Sequence, residues 1–458
     1  MRFLHTSDLH LGKTFHDRSL IEDQKHMLDD LVRRLEACHA LIIAGDVFDR
    51  SLPSAEAADL FSSFLGEVKS RYPELSVLII PGNHDAPLRL AYGQELFERL
   101  GIHIARDVDT AVTTPVVVEA DGLVCACFLL PFLYPGSLRA PDGGILRSQR
   151  ELTARAAEQL EAARHRALRD GAGTAILAAH LFCRGGAKAE SERSFLGQAE
   201  EVDAGLFDAF DYVALGHLHR CQRPARNAWY AGAPLSYSFD EAGEEKCFLS
   251  VEINAGNAEA SFQNDTALKN AAHKNTPSVQ GDLFAGAAPA KKNPASGRFA
   301  ARPEKPRVSV SRVPVVPLRP LKKLSGPFSW FLKENDRELE AAASSYLEIS
   351  LSGRELTENA KPLLRERFPH LLVVKQDEAR AAMAASDHRI GAGLSAAGFT
   401  GIAGGISGVK DETAALLEDF RDFLAEIYGG DDDEQSRGEK HACFKEILDG
   451  LDLSGDGS

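Results

Sequence analysis

The sequence predicts an α/β layered protein, and three observations carry that reading. Apolar runs of strand length stand at 2–6, 40–44, 77–80, 174–179 and 212–215. Among them, apolar residues recur at helical spacing over 26–37 and 54–72. Each run stops in a polar turn holding Asp, His or Asn, which is where α/β sheets keep their chemistry.

Taken in order, 2–6 is a short strand ending in Ser7-Asp8-Leu9-His10, and Met27, Leu28, Leu31, Val32 and Leu35 mark the first helix. The strand 40–44 ends at Gly45-Asp46. The helix 54–72 shows Ala58, Phe61, Leu65 and Val68 on one face, and strand 77–80 runs into Pro81-Gly82-Asn83-His84-Asp85. Two later strands lead into His180 and into Gly216-His217-Leu218-His219. The first domain is placed at 1–262. Composition then shifts to Ala, Pro, Lys, Asn and Gly, which predicts a disordered basic linker at 263–307. Over 265–327 there are twelve Lys/Arg against three Asp/Glu, a local +9. A small α/β domain follows at 308–376, with strands expected at 308–318, 346–351 and 371–375 and helices at 327–343 and 358–368. The remainder, 377–458, is read as a Gly-rich connector and an acidic helical region. Residues 391–409 are free of charge but include seven glycines, which favours a connector over a membrane span. Residues 411–458 carry fifteen acids against four bases. Two short helices there, 411–428 and 441–451, show apolar faces, the first through Leu416, Phe420, Phe423 and Ile427. Those faces fit a partner surface or packing on the second domain.

Composition bounds the function. At ~150 residues per domain, 458 residues make about three domains. With 44% hydrophobic and 26% charged residues, a wholly disordered chain is excluded. A net charge of −15 excludes coating nucleic acid by bulk positive charge, so such contact must come from local patches. The seven cysteines contain no Cys-x-x-Cys pair, so neither a disulfide framework nor a zinc ribbon is expected. With no apolar leader at the start, a reducing cytoplasmic setting is the expectation.

The five strand-end clusters together hold carboxylates, an amide and imidazoles, the hard-to-borderline donors that suit manganese, iron, zinc or magnesium. On extended backbone, Asp-x-His and His-x-His put both side chains on one side. The set is large enough for two metals with one carboxylate between them. Such a pair lowers the pKa of water from 15.7 to about 7 and steadies a phosphoryl oxygen, which points to phosphoester hydrolysis.

The segments Asp8-Leu9-His10, Gly45-Asp46-Val47-Phe48-Asp49, Gly82-Asn83-His84-Asp85, His180 and Gly216-His217-Leu218-His219 resemble the signature of the calcineurin-like metallophosphoesterases. That resemblance implies a four-layer α/β/β/α sandwich. It implies one metal held by Asp8, His10, Asp46 and His219 and another by Asp46, Asn83, His180 and His217, with Asp46 bridging. His84 would be the acid beside the scissile bond, with Asp85 orienting it. Within the superfamily, His180-Leu-Phe-Cys-Arg-Gly-Gly186 with Ser191-Glu192-Arg193, Phe210 through Arg220 and Tyr230 through Phe239 resemble the SbcD-type nuclease subunit of the bacterial SbcCD complex. This implies manganese-dependent DNA cleavage (magnesium being the other metal considered), 3′→5′ on duplex ends and endonucleolytic at hairpins and single strands, in DNA repair and recombination. It also implies a capping role for the small domain and a coiled-coil SbcC-type ATPase as partner, with two copies of each subunit.

Where some relatives carry a second His three residues after the bridging Asp, this chain has Asp49, which leaves His84 as the leading acid. No Walker-type phosphate loop is present, so ATP binding falls to the partner. Candidates for a DNA track are Arg18, Arg50, Arg89, Arg184, Arg193, Arg220 and Arg223; phosphate contacts of that kind bind without reading sequence. In the linker, Gln280-Gly-Asp-Leu283-Phe284 resembles the pentapeptide with which bacterial replication and repair enzymes bind the sliding clamp. Two other readings remain open: a phosphoesterase for small substrates or phosphoproteins, and a DNA-end-binding scaffold whose metals are structural.

Overall fold

In a computed structural model the described residues are 1–183, 201–254, 307–353 and 358–376. The first sheet contains β1 (Arg2–Thr6), β2 (Ala40–Ala44), β3 (Ser76–Ile80) and β4 (Ile102–Ile104). The second is built from β5 (Val116–Ala120), β6 (Leu123–Leu130), β7 (Thr174–His180), β8 (Tyr212–Gly216) and β9 (Ala228–Tyr230). Two further strands, β10 (Cys247–Asn254) and β11 (Arg307–Pro314), return to the first sheet, giving the order β11-β10-β1-β2-β3-β4 beside β9-β8-β7-β6-β5.

Strand side chains alternate between faces, and here both faces are buried. Phe3, Ala40, Ile42, Leu78 and Ile80 pack from the first sheet against Cys125, Cys127, Ile176, Ala178 and Ala214 of the second. The opposite face of the first sheet, with Leu4, Leu41, Ile43 and Ile79, is covered by α1 (Ile21–Arg33) and α2 (Ala55–Arg71) through Met27, Leu31, Phe61 and Leu65. The outer face of the second sheet, with Phe128, Leu177 and Val213, is covered by α3 (Gln149–Arg169) through Leu152, Ala156 and Leu160. Helix α3 opens with a capping box between Ser148 and Glu151. The layering is therefore α/β/β/α, as the family resemblance implies.

The small domain is a parallel three-stranded sheet, β12 (Leu321–Gly326), β13 (Tyr346–Leu351) and β14 (Leu371–Lys375), with α4 (Arg337–Ala342) and α5 (Ala360–Arg367) packed around Phe331, Leu347, Ile349, Leu364 and Phe368. Two expectations are corrected here. The strand expected at 308–318, at the head of the small domain, is β11, and it pairs antiparallel along the whole of β10 in the large sheet. The single helix expected at 327–343 is broken, because Asn335 turns left-handed (φ 58°) and the Asp336 carboxylate caps a new start at Arg337. The small domain is pinned to the start of α1: Arg319 forks to Glu22 and Asp23 at 2.7 and 2.8 Å, and the Tyr346 hydroxyl donates to Asp23 at 2.8 Å. Among the described residues, no helix is long and apolar enough to cross a membrane.

Candidate metal centre

Strands β1, β2 and β3 run parallel, as do β7 and β8, so each set delivers its C-terminal turns to one edge. Backbone bonds stitch those turns together. Asp8 N–H donates to the Gly45 carbonyl at 2.9 Å and His10 N–H to the Asp46 carbonyl at 3.0 Å. Across the sheets, His180 Nδ1 donates to the Ala44 carbonyl at 2.9 Å, and His217 N–H donates to the Asp8 carboxylate at 3.0 Å.

Four residues of this cluster, Asp8, His10, Asp46 and His217, have positive φ (53°, 45°, 49° and 104°). Side chains rarely adopt that backbone, and it persists only where the surroundings over-determine it. Two glycines make the room. A Cβ on Gly45 would lie 2.1 Å from His180 Nδ1, and one on Gly82 would lie 2.1 Å from Asp46 Oδ1.

All seven expected ligands converge. His10 Nε2 is 3.2 Å from His219 Nε2 and 3.8 Å from Asp46 Oδ2. His180 Nε2 is 3.4 Å from Asp46 Oδ2 and 3.1 Å from Asn83 Oδ1, and Asn83 Oδ1 is 2.9 Å from His217 Nδ1. Asp8 shares one group of donors with His10 and His219 and another with Asp46 and His180. Donors 2.0–2.2 Å from one cation lie about 2.8–3.6 Å apart at tetrahedral or octahedral angles, so most of these spacings suit ions held between the residues. Asp8, His10, Asp46, His180 and His219 are buried, whereas Asn83, His84 and His217 are partly open.

Burial and charge pull against each other here. Burial pushes the Asp46 carboxyl up, but His180, His10 and His84 outweigh it and hold it well below the usual carboxylate range. At Asp8 burial wins, and its pKa rises to about 6. Burial also lowers His10 to about 4 and His217 to about 3. His180 goes the other way: burial depresses it, yet the Asp46 carboxylate raises it to about 9. The arrangement is an anionic pocket lined by imidazoles, suited to divalent cations and a bound phosphate.

His84 lies beside the cluster, with its ring centroid 4.9 Å from that of His10. Its N–H donates to Asp46 Oδ1 at 2.9 Å and its Nδ1 to the Asp49 carbonyl at 2.8 Å. The expectation that Asp85 orients His84 is corrected. The Asp85 carboxylate accepts N–H bonds from Val47, Phe48 and Gly82 at 2.9–3.0 Å, so it staples the β2 and β3 turns together instead.

The basic candidates divide. Arg18 donates to the Pro369 carbonyl at 3.3 Å, Arg89 to the Ser51 carbonyl at 2.7 Å, and Arg220 pairs with Glu244 at 2.6 Å. Arg223 lies over the Trp229 ring, and Arg50 is exposed. Arg184, Arg193, the Gln280, Leu283 and Phe284 segment, and Leu416, Phe420, Phe423 and Ile427 lie outside the described residues. Sequence reasoning missed Glu241, Lys246, Lys13 and Tyr134. Glu241 and Lys246 are buried behind His219, Lys13 pairs with Asp49 at 2.8 Å, and the Tyr134 hydroxyl donates to the Asn83 carbonyl at 3.1 Å. None sits in a recognisable spacing; the nearest signal was the 230–239 segment, which stops two residues short of Glu241.

Residues 1–221 match the calcineurin-like phosphoesterase family. Among solved structures, the calcineurin-like phosphoesterase YfkN from Bacillus subtilis is similar at 13% identity and a TM-score of 0.31, over 58% of this chain and 88% of that one.

Proposed function

We propose, from the match of residues 1–221 to the calcineurin-like phosphoesterase family, that the chain is an SbcD-type DNA nuclease subunit. It cleaves phosphodiesters with two divalent ions, manganese foremost, as a 3′→5′ exonuclease on duplex ends and an endonuclease on hairpins and single strands. The observation that carries the hydrolase reading is the convergence of seven donors with His84 beside them. When bound, divalent cations polarise a phosphoryl oxygen and lower the pKa of water. The chain's own residues do the rest. Asp46 lies between the two donor groups, with one oxygen toward the imidazoles and the other fixed by His84 N–H. Because a carbonyl only accepts, the Asp49 carbonyl holds the His84 proton at Nδ1. That leaves Nε2 as the nitrogen that carries a proton to the leaving oxygen when the ring is an imidazolium.

Support for DNA as substrate comes from the 180–193, 210–220 and 230–239 segments and from the small domain beside the 14–23 segment that leads away from His10. Partnership with an SbcC-type ATPase through 411–451, a complex with two copies of each subunit, and clamp binding through Gln280, Leu283 and Phe284 complete the proposal. A cleavage assay with linear duplex, hairpin, cyclic nucleotide and phosphopeptide, with manganese and then magnesium, tests it. Cleavage of the two DNA substrates is expected. Turnover of only the cyclic nucleotide or the phosphopeptide would replace the nuclease by a small-substrate phosphoesterase or a phosphatase, and turnover of none would leave a scaffold.

A further inference from the structure

Two chains of contacts run outward from the metal centre, each a histidine, then a carboxylate, then a lysine. In one, Lys13 Nζ lies 2.8 Å from Asp49 Oδ1, and that oxygen lies 3.4 Å from His10 Nδ1. In the other, Lys246 Nζ lies 2.5 Å from Glu241 Oε2, while Glu241 Oε1 lies 3.5 Å from His219 Nδ1. Lys246 Nζ also donates to the His219 carbonyl at 3.1 Å, fixing the backbone of the same residue. Glu241 is fully buried and Lys246 nearly so. A carboxylate there would be costly without its lysine, and each Lys–carboxylate pair is neutral as a unit.

We infer that Asp49 and Glu241 are positioning residues that act through His10 and His219, and that both serve one metal position. A carboxylate can only accept, and at 3.4–3.5 Å, an ion-pair contact outside hydrogen-bond geometry for His10 Nδ1 and Glu241 Oε1, it favours the imidazole proton at Nδ1 and an Nε2 lone pair turned inward, toward the point where the two Nε2 atoms approach within 3.2 Å. A carboxylate behind the ring also makes it a stronger donor than a neutral acceptor does. The other position lacks this support among the contacts described. Behind His180 stands the Ala44 carbonyl, and His217 turns Nδ1 inward with its ring stacked on Phe132. The position of Asp8, His10, Asp46 and His219 is therefore the tighter one and fills first.

This inference rests on the two-metal reading above. Stepwise manganese calorimetry on the full chain tests it, comparing wild type with Asp49→Asn and Glu241→Gln, neither of which replaces one of the seven expected ligands. Each variant is expected to weaken the tighter step by ~10–100-fold and to leave the weaker step within about threefold. Glu241→Gln strands a buried lysine, so the double variant Glu241→Gln/Lys246→Met, which removes both charges, supplies a second reading and is expected to show the same loss. Melting of the metal-free proteins in chelator confirms that each variant is folded. A wild type that binds no manganese sinks the two-metal reading. A wild type with two steps that the variants leave unchanged, or weaken equally, overturns the inference about Asp49 and Glu241 alone.

Discussion

The large sandwich and the small sheet alternate strands with helices in the same way, yet they spend left-handed backbone differently. In the large domain, four of the six non-glycine residues with positive φ, Asp8, His10, Asp46 and His217, are expected ligands tied by backbone hydrogen bonds or by Asp8 itself, while the other two, His16 and Asp121, sit in turns. In the small domain the non-glycine cases are Asn335 and Asn359, each just before a short helix, where asparagine adopts it cheaply. The first kind of strain holds donor atoms at one point; the second only redirects the chain. Strain marks function where it is packed on every side, as it is at the seam between two doubly buried sheets.

The contrast can be broken most severely at Gly45. Gly45→Ala puts a Cβ onto the His180 ring at φ +92°, so a stability loss of about 2–6 kcal/mol is expected by chemical denaturation, with metal binding lost as well. Next comes the division of labour inside the cluster. Asp46→Ala should remove metal and activity together, whereas His84→Gln should bind both metals and lose turnover by ~10²–10⁴-fold. Calorimetry beside a steady-state assay checks this, and metal loss in the His84 variant would defeat the assignment. A smaller effect is expected at the joint between the domains. Tyr346→Phe removes a bond to the Asp23 carboxylate and should cost about 1.5–3 kcal/mol, read from the urea midpoint. The smallest change sharpens the contrast from the other side: Asn359→Gly should alter stability by less than about 1 kcal/mol in either direction and leave metal binding untouched.

What the sequence revealed follows from how local each signal was. The strands that present the ligands are continuous apolar runs with short polar ends, and the structure places β1, β2, β3, β7 and β8 within a residue of expectation. The side chains that converge were legible for the same reason, since each lies at the end of its strand or within a few residues of it. Partners settled by distant pairing were not legible. Strand β11 reads like the first strand of whatever comes next, because its register against β10 is a long-range fact. Asp85 sits beside His84 in sequence, but the N–H groups of the neighbouring turn claim its carboxylate. Glu241 lies in a run of ordinary acids until Lys246 and His219 close on it. Helix α1 begins at Ile21 rather than 26, because Glu22 to His26 interrupt the apolar spacing, with Glu22 and Asp23 turned to Arg319.

Register between β10 and β11 sets Asn254 opposite Arg307, so the chain leaves the sheet and re-enters it at adjacent points. The two ends of the 255–306 segment are thus held side by side by a finished pair of strands. The entropy of closing such an excursion grows only with the logarithm of its length, about 0.6 kcal/mol for each doubling. The sandwich is therefore almost indifferent to what is spliced in there. A tight two-residue turn or a reporter domain put in place of 255–306 would thus leave these two strand ends side by side.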